Sequence, residues 1–423
     1  MSFSEKALAA YQNGDLTQAK KLVQQALSQD SDDELFDLAE SLTAAGITTE
    51  SQKIYQSLLK KYPQEDILKV NLAEILISDD QIDRATDLLN QVQPTSSAYL
   101  SALLVSADLY QTLGLYEVSE QKLLTALRLA PYEEVIQFAL AELYFVEKKY
   151  SQAATFYEKL IKQGYQEFSG CSLTQRLAAV YAGAGQYEQA ETMYQQMSLA
   201  SLNAESLANY ATVEVELKNY PTAQKIITEL LASNPDYSPG YVLAVQIAEH
   251  QKDYQSALKQ AQLGIGYDPF NSRLYQLAAE AAVKLNNLPQ AVSLLQKGIE
   301  RVEENTDLIL DCSNLLLQDQ QYQANQNLLT EHKEQLNDEP LYHWNLARSL
   351  EELDQIPQAL QEMLSVYQHY QNNAAYLKDL IQILRQGSQK QLLLTAVKRY
   401  LQLVPDDQDI IELEQELGDW NEN

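Results

Sequence analysis

Residues 103–131 read LLVSADLYQTLGLYEVSEQKLLTALRLAP, and the stretch contains two apolar-patterned segments joined by a turn at Gly114. A small residue, Ala107, lies among larger apolar side chains in the first half, and Ser119 holds the corresponding place in the second. Apolar residues that recur at three- and four-residue spacing predict amphipathic helices. The stretch therefore predicts two helices that pack against each other, with the small residues at their closest contact.

The same two-helix pattern recurs along the chain with a nearly constant period. The next equivalent of Ser119 is Ala153, 34 residues later, and the one longer step is the 37 residues from Ala153 to Ala190. The first-half markers are Ala7, Ala39, Ala73, Ala107, Ala141, Ala178, Ala211, Val245, Ala279, Ser313, Ala347 and Ile381; the second-half markers are Ala19, Ser51, Ala85, Ser119, Ala153, Ala190, Ala223, Ala257, Ala291, Asn325, Ala359 and Leu393. Because one helix pair cannot bury its apolar faces alone, we expect stacked neighbours to supply the core.

Residues 103–131 resemble the tetratricopeptide repeat (TPR), a helix-turn-helix unit of about 34 residues. The residues that carry the resemblance are Leu103, Ala107, Tyr110, Gly114, Tyr116, Ser119, Ala126 and Pro131. Asn325, Ile381 and Leu393 depart from the pattern, because each stands where a small residue is expected. The resemblance extends over about twelve units and implies an all-α fold, a right-handed superhelical solenoid of stacked antiparallel helix pairs.

The period divides the chain into units 1–5 over residues 1–169 and units 6–12 over residues 170–405. The longer step places an insertion of about three residues around residues 162–171. We expect a longer loop there, because loops absorb insertions easily, and a flexible joint is the alternative.

The last residues, 406–423, are predicted to form a capping helix and a tail. Ile410, Leu413 and Leu417 lie on one face of this helix. An open end of a repeat array needs such a helix, with its apolar face on the last unit and its polar face in water.

Charge and composition narrow the classes of partner. Lys and Arg number 30 against 59 Asp and Glu, a net charge of −29. Nucleic acid and anionic lipid are therefore poor partners, whereas a basic peptide or protein patch is compatible. The chain has two distant cysteines, Cys171 and Cys312, and its first residues do not show the basic start and apolar core typical of a secretory signal. We therefore expect a cytoplasmic protein without membrane insertion.

No catalytic or cofactor motif emerges from the sequence. Gly183 and Gly185 suggest a phosphate-binding loop, but Glu188 occupies the place of the third glycine of a dinucleotide fingerprint, and no strand is predicted before it. The four histidines have no metal-ligand spacing. We therefore expect a non-enzymatic protein that binds neither a cofactor nor a metal ion.

The resemblance also implies that the first helix of each unit lines a concave groove that binds a partner peptide or helix. On this basis the predicted partner-binding residues are Asn71, Phe138, Phe145, Arg176, Asn209, Arg273, Trp344, Asn345 and Arg348. Amide side chains such as that of Asn209 can hydrogen-bond an extended backbone. The leading hypothesis is a protein-interaction scaffold or adaptor; the alternative is a peptide-signal sensor whose superhelix changes shape when a ligand binds.

Overall fold

The computed structural model describes residues 2–419, whose helices belong to two compact units that divide between Gln196 and Met197. The elements of the first unit are α1 (Phe3–Gln12), α2 (Leu16–Gln29), α3 (Asp32–Ala44), α4 (Thr48–Lys61), α5 (Asp66–Ser78), α6 (Ile82–Asn90), α7 (Tyr99–Thr112), α8 (Tyr116–Leu129), α9 (Glu134–Val146), α10 (Tyr150–Lys162), β1 (Glu167–Phe168), β2 (Cys171–Ser172), α11 (Leu173–Gly183) and α12 (Tyr187–Tyr194). The division expected at residue 169 stays a prediction; α10 and α11, on its two sides, pack against each other within this unit.

The second unit begins with a short 3-10 turn, Leu199–Ser201. Its helices are α13 (Ala204–Glu216), α14 (Tyr220–Ser233), α15 (Ser238–His250), α16 (Tyr254–Tyr267), α17 (Ser272–Lys284), α18 (Leu288–Ile299), α19 (Thr306–Gln318), α20 (Tyr322–Glu331), α21 (Lys333–Leu336), α22 (Pro340–Glu352), α23 (Ile356–Ser365), α24 (Tyr367–Tyr370), α25 (Ala374–Arg385), α26 (Lys390–Leu403) and α27 (Gln408–Asp419). Apart from the short helices α21 and α24, the helices from α1 to α26 form twelve successive packed pairs. The predicted all-α fold of repeated helix pairs is confirmed.

The small residues that mark the repeat lie at the buried contacts of the helix pairs. Ala107 on α7 is 1% exposed and Ser119 on α8 is fully buried, and no other marker is more than 6% exposed. Larger side chains such as Tyr157 and Tyr194 fill the space around these contacts and are fully buried. Protein interiors are packed densely enough that an added side chain at such a contact would have to displace its neighbours.

The turn inside each pair depends on one residue with a left-handed backbone, except in the last pair. At eleven turns of the described chain, φ lies between +57° and +76°, and the residues are Gly14, Gly46, Asp80, Gly114, Lys148, Gly185, Lys218, Lys252, Asn286, Gln320 and Asp354. Gly183 differs from Gly185: it ends α11, and a Cβ atom there would lie 2.5 Å from the ring of Tyr150. The two glycines that suggest a phosphate loop thus meet two different requirements, close packing against Tyr150 at Gly183 and a left-handed backbone at Gly185.

The insertion around residues 162–171 contains a short antiparallel hairpin. Glu167 pairs with Ser172, and Phe168 pairs with Cys171. Ser169 and Gly170 at the tip both have positive φ, +48° and +75°. The longer connection therefore has a structure of its own, while the flexible joint stays a prediction.

The C-terminal helix α27 packs against α26 of the last pair, and its role as a cap stays a prediction. Ile410 is 5% exposed and Leu413 is 8% exposed, and Leu417 packs beside them. The Asp407 carboxylate, just before α27, accepts a hydrogen bond of 2.7 Å from the Tyr400 hydroxyl on α26. The part of the prediction that concerns residues 420–423 lies outside the described residues.

We predict that substitutions at equivalent turns will have opposite effects. Gly114→Ala should destabilise the fold by about 1 kcal/mol, because a Cβ atom is strained at positive φ. Lys148→Gly should stabilise it by about 0.5 kcal/mol, because glycine removes that strain. Thermal unfolding followed by circular dichroism measures both effects.

Lys148→Ala is the control for these turn substitutions, since alanine keeps the Cβ atom, and it should leave the melting temperature nearly unchanged. Shifts of the same sign for Gly114→Ala and Lys148→Gly would contradict this account of the turns.

Candidate protein-binding surfaces

The nine predicted partner-binding residues all lie on the first helices of their pairs. Asn71, Phe138, Phe145 and Arg176 belong to the first unit, and Asn209, Arg273, Trp344, Asn345 and Arg348 belong to the second. Asn71 is half-buried, and its amide donates a 3.1 Å hydrogen bond to the Tyr55 hydroxyl. Asn209 is also half-buried, on α13. Apart from the buried Asn345, whether these residues contact a partner stays a prediction.

Phe145 and Arg176 come together in the first unit. The Arg176 guanidinium carbon lies 5.7 Å from the centre of the Phe145 ring, a cation–π contact. Its Nε atom lies 3.1 Å from Glu142 Oε1, which also accepts a hydrogen bond from the buried Tyr157 hydroxyl. Arg176 is therefore held by residues of its own unit, and the charge it offers a partner is largely balanced by Glu142.

Trp344 and Arg348 also come together, because both reach Asp379 on α25. Trp344 Nε1 donates a 2.9 Å hydrogen bond to Asp379 Oδ2, and Arg348 Nε lies 3.5 Å from the same oxygen. Burial raises the pKa of Asp379 in spite of these two contacts. The indole also packs on Tyr370, with 5.0 Å between ring centres. These contacts of Trp344 and Arg348 thus connect α22 to α24 and α25.

Asn345 does not face a groove, which corrects the expectation for this residue. Its side chain is 1% exposed, and the amide donates hydrogen bonds to Ser313 Oγ at 3.0 Å and to Asn314 Oδ1 at 2.8 Å. The backbone oxygen of Asn345 accepts a bond from Asn325, which stands where a small residue is expected. A polar residue at that buried contact requires polar partners, and this requirement accounts for the network around Asn345.

A cleft of about 420 Å³ lies between α15, α17 and α19, the first helices of three successive pairs. Val283 and Leu315 contribute apolar side chains to its lining, and Glu249, Glu280 and Asp311 contribute carboxylates. We call this space the acidic cleft. Lys284 is the one basic residue of its lining among the described residues. The cleft therefore combines apolar surface with an excess of negative charge.

Crowding of carboxylates is visible in the electrostatics of the acidic cleft. The pKa of Glu249 is raised, first by burial and then by the negative charge of Glu280. Arg273, one of the nine predicted partner-binding residues, lies at the edge of the cleft. Its Nη1 atom forms an ion pair with Glu280 Oε1 at 3.1 Å. Asp311 Oδ2 accepts a 2.8 Å hydrogen bond from Gln276 Nε2, which fixes its orientation.

The sequence argument missed Glu249 and Glu280 because they are unremarkable among the many acids of this chain. The 34-residue period does contain a signal that could have identified these residues. Glu280 and Asn314 stand 34 residues apart, as do Glu249 and Val283, and all four line the acidic cleft. Equivalent positions on neighbouring first helices thus face the same space.

Among residues 2–419, no group of three or more His, Cys, Asp or Glu side chains is placed to hold a metal ion. No helix in the same range is long and apolar enough to cross a membrane.

The repeated helix pairs define a TPR array, and models of this repeat family match three parts of the chain. A general tetratricopeptide repeat model matches residues 4–66, one described as YpiA-like tetratricopeptide repeats matches residues 111–165, and one described as YpiA-like C-terminal tetratricopeptide repeats matches residues 340–407. The TPR repeat-containing protein YpiA of Bacillus subtilis is 30% identical over 352 residues, which cover 83% of each chain. The chain belongs to the YpiA-like family of TPR proteins.

Proteins of lower identity also match parts of this chain. The intraflagellar transport protein 70A of Xenopus laevis is 26% identical over 227 residues, 52% of this chain and 32% of that protein. In a crystal structure of the C-terminal part of a TPR repeat-containing protein from Cytophaga hutchinsonii, the similarity covers 65% of this chain and 98% of that one, with 13% identity and a TM-score of 0.45.

Glu351, on α22, should make stability depend on pH. Burial, with Asp379 and Glu352 adding negative charge, raises its pKa to about 7. The folded state therefore binds this proton more tightly than the unfolded state, and stability should fall as pH rises from about 4.5 through 7. Glu351→Gln should stabilise the protein by about 1 kcal/mol at pH 8, a value reduced for solvent screening, and should have little effect at pH 4.5.

Urea unfolding of the wild type and of Glu351→Gln at the two pH values measures this difference. Glu188→Gln, on the exposed surface of α12, is the matched control and should show no pH-dependent gain. An equal effect of Glu351→Gln at both pH values would contradict the raised pKa.

Proposed function

We propose that the protein is a non-enzymatic scaffold that holds a basic segment of a partner protein in the acidic cleft. Membership in the TPR family supports a role in protein interaction in general. The proposal that this partner segment is basic rests on the acidic cleft between α15, α17 and α19. Its volume of about 420 Å³ is in the usual range for binding pockets, and its lining is apolar and acidic at once.

A lysine or arginine side chain matches this lining. Its aliphatic stem can pack on Val283 and Leu315, while its charged head reaches the carboxylates of Glu249 and Asp311. Charge-assisted hydrogen bonds of this kind are stronger than those between neutral groups. The cation would also offset the negative charge of Glu280, which adds to the effect of burial in raising the pKa of Glu249.

The charge of the whole chain favours the same class of partner. A net charge of −29 attracts basic segments and speeds their encounter with the protein, and it repels acidic ones. Arg273 would then act within the protein, because its contact with Glu280 orients that carboxylate at the edge of the cleft. The peptide-sensor alternative gains no support from the relatives.

Site-specific photocrosslinking tests where the partner binds. A photoreactive amino acid in place of Val283, inside the acidic cleft, should crosslink to a partner segment rich in Lys and Arg, which mass spectrometry identifies. The same amino acid in place of Lys259, exposed on α16, should give no such product. The proposal fails if Val283 yields no crosslink or yields an acidic segment.

Charge removal should weaken binding of the crosslinked segment, made as a synthetic peptide. Asp311→Asn should lower its affinity about tenfold, since the amide can still accept the bond from Gln276 but carries no charge. Glu229→Gln, an exposed acid on α14, removes the same charge elsewhere and should change the affinity less than twofold.

Acidification should also weaken binding of this peptide. The raised pKa of Glu249 means that its carboxylate loses its charge at a higher pH than an ordinary glutamate. Isothermal calorimetry between pH 8 and pH 5 measures the change.

Equal losses of affinity for Asp311→Asn and Glu229→Gln would show that only overall charge matters and would contradict binding in the cleft.

A further inference from the structure

The hairpin formed by β1 and β2, in the first compact unit, packs on an aromatic surface of α9. The ring of Phe168 lies 4.8 Å from the ring of Phe138, centre to centre, and Tyr165 packs edge-on against Phe168 at 6.2 Å. Phe138 in turn contacts the buried Tyr157 at 6.4 Å. The surface beneath the hairpin thus consists of aromatic rings that hold a phenylalanine presented by an extended strand.

This surface extends beyond the part that Phe168 covers. Val135, Phe138, Glu142 and Phe145 are spaced by three and four residues, and so they share one face of α9. Val135 is 44% exposed, and Phe138 and Phe145 are half-buried. Apolar surface on this face therefore remains exposed at Val135, whereas Phe145 contacts the Arg176 guanidinium, which also pairs with Glu142.

The hairpin is an addition to the repeat, and its strands are short. It lies in the one step that is longer than the period, 37 residues from Ala153 to Ala190. Its strands are two residues each, too short to be stable without packing. Ser169 has φ +48°, which costs about 1 kcal/mol for a residue with a side chain. Its docking therefore relies on side-chain packing, including the contact of Phe168 with Phe138 and that of Cys171 with Arg176.

We infer that this aromatic surface is a second binding site, for an extended partner segment that carries an aromatic side chain, and that the hairpin is its built-in competitor. Phe168 identifies the ligand chemistry because it is such a side chain on such a strand. The partner's aromatic ring takes the place of Phe168 on Phe138. The site is independent of the acidic cleft, which lies in the other compact unit.

A peptide of the chain's own hairpin tests the inference. The probe is residues 165–172, YQEFSGCS, with blocked ends, a fluorophore, and serine in place of the cysteine. In the full-length Phe168→Ala protein it should bind at least about tenfold more tightly than in the wild type, whose tethered hairpin competes at a millimolar effective concentration. Fluorescence anisotropy measures both affinities.

Two controls separate site-specific binding from a loosened fold. Phe156→Ala removes a half-buried ring that stacks on Tyr144, away from the hairpin, and should leave the affinity at the wild-type value. A probe with alanine in place of its phenylalanine should not bind the Phe168→Ala protein. Circular dichroism checks that both variants keep the helical content of the wild type.

The inference is overturned if the Phe168→Ala protein and the wild type bind the probe equally, or if neither binds it at millimolar concentration. Equal binding of the alanine probe also overturns it. Because the acidic cleft plays no part in this assay, these outcomes leave the proposed function untouched.

Discussion

The close approach of two helices at a pair of small side chains is the contact on which the structure depends. Every marker residue is at most 6% exposed, and the fully buried Ala153 and Ala190 show how little space the contact leaves. A larger side chain there would cost about 1–3 kcal/mol through displaced neighbours. Because each pair leaves apolar faces uncovered, neighbouring pairs within each compact unit complete its core, and small residues recur at this contact in most of the pairs.

This arrangement explains why binding surfaces lie on the first helices of successive pairs. The contacts within and between pairs fix the spacing of α15, α17 and α19, and the acidic cleft is the space left between these helices. The aromatic surface of α9 is a first-helix face as well, covered in part by the hairpin. Because the buried small residues maintain the core, the side chains on these faces can differ from one helix pair to the next.

The sequence was sufficient to predict the fold because its signal is repeated twelve times. Small residues and turn residues each recur in phase, so an exception such as Asn325 does not hide the pattern. The sites were less predictable, because they depend on pairs of residues from different repeats. Asp311 and Asn345 hold equivalent positions 34 residues apart, yet Asp311 lines the acidic cleft and Asn345 is buried in the network of Asn325.

Hydrogen exchange with mass spectrometry on Ala257→Leu tests the role of the small contacts most directly. Ala257 is fully buried on α16, and the account predicts that leucine there lowers the protection of α15 to α18 while that of α1 to α6 is unchanged. Lys259→Leu places the same side chain on the exposed face of α16 and should change neither region. Unchanged protection at Ala257→Leu, or a loss spread evenly along the chain, would contradict the account.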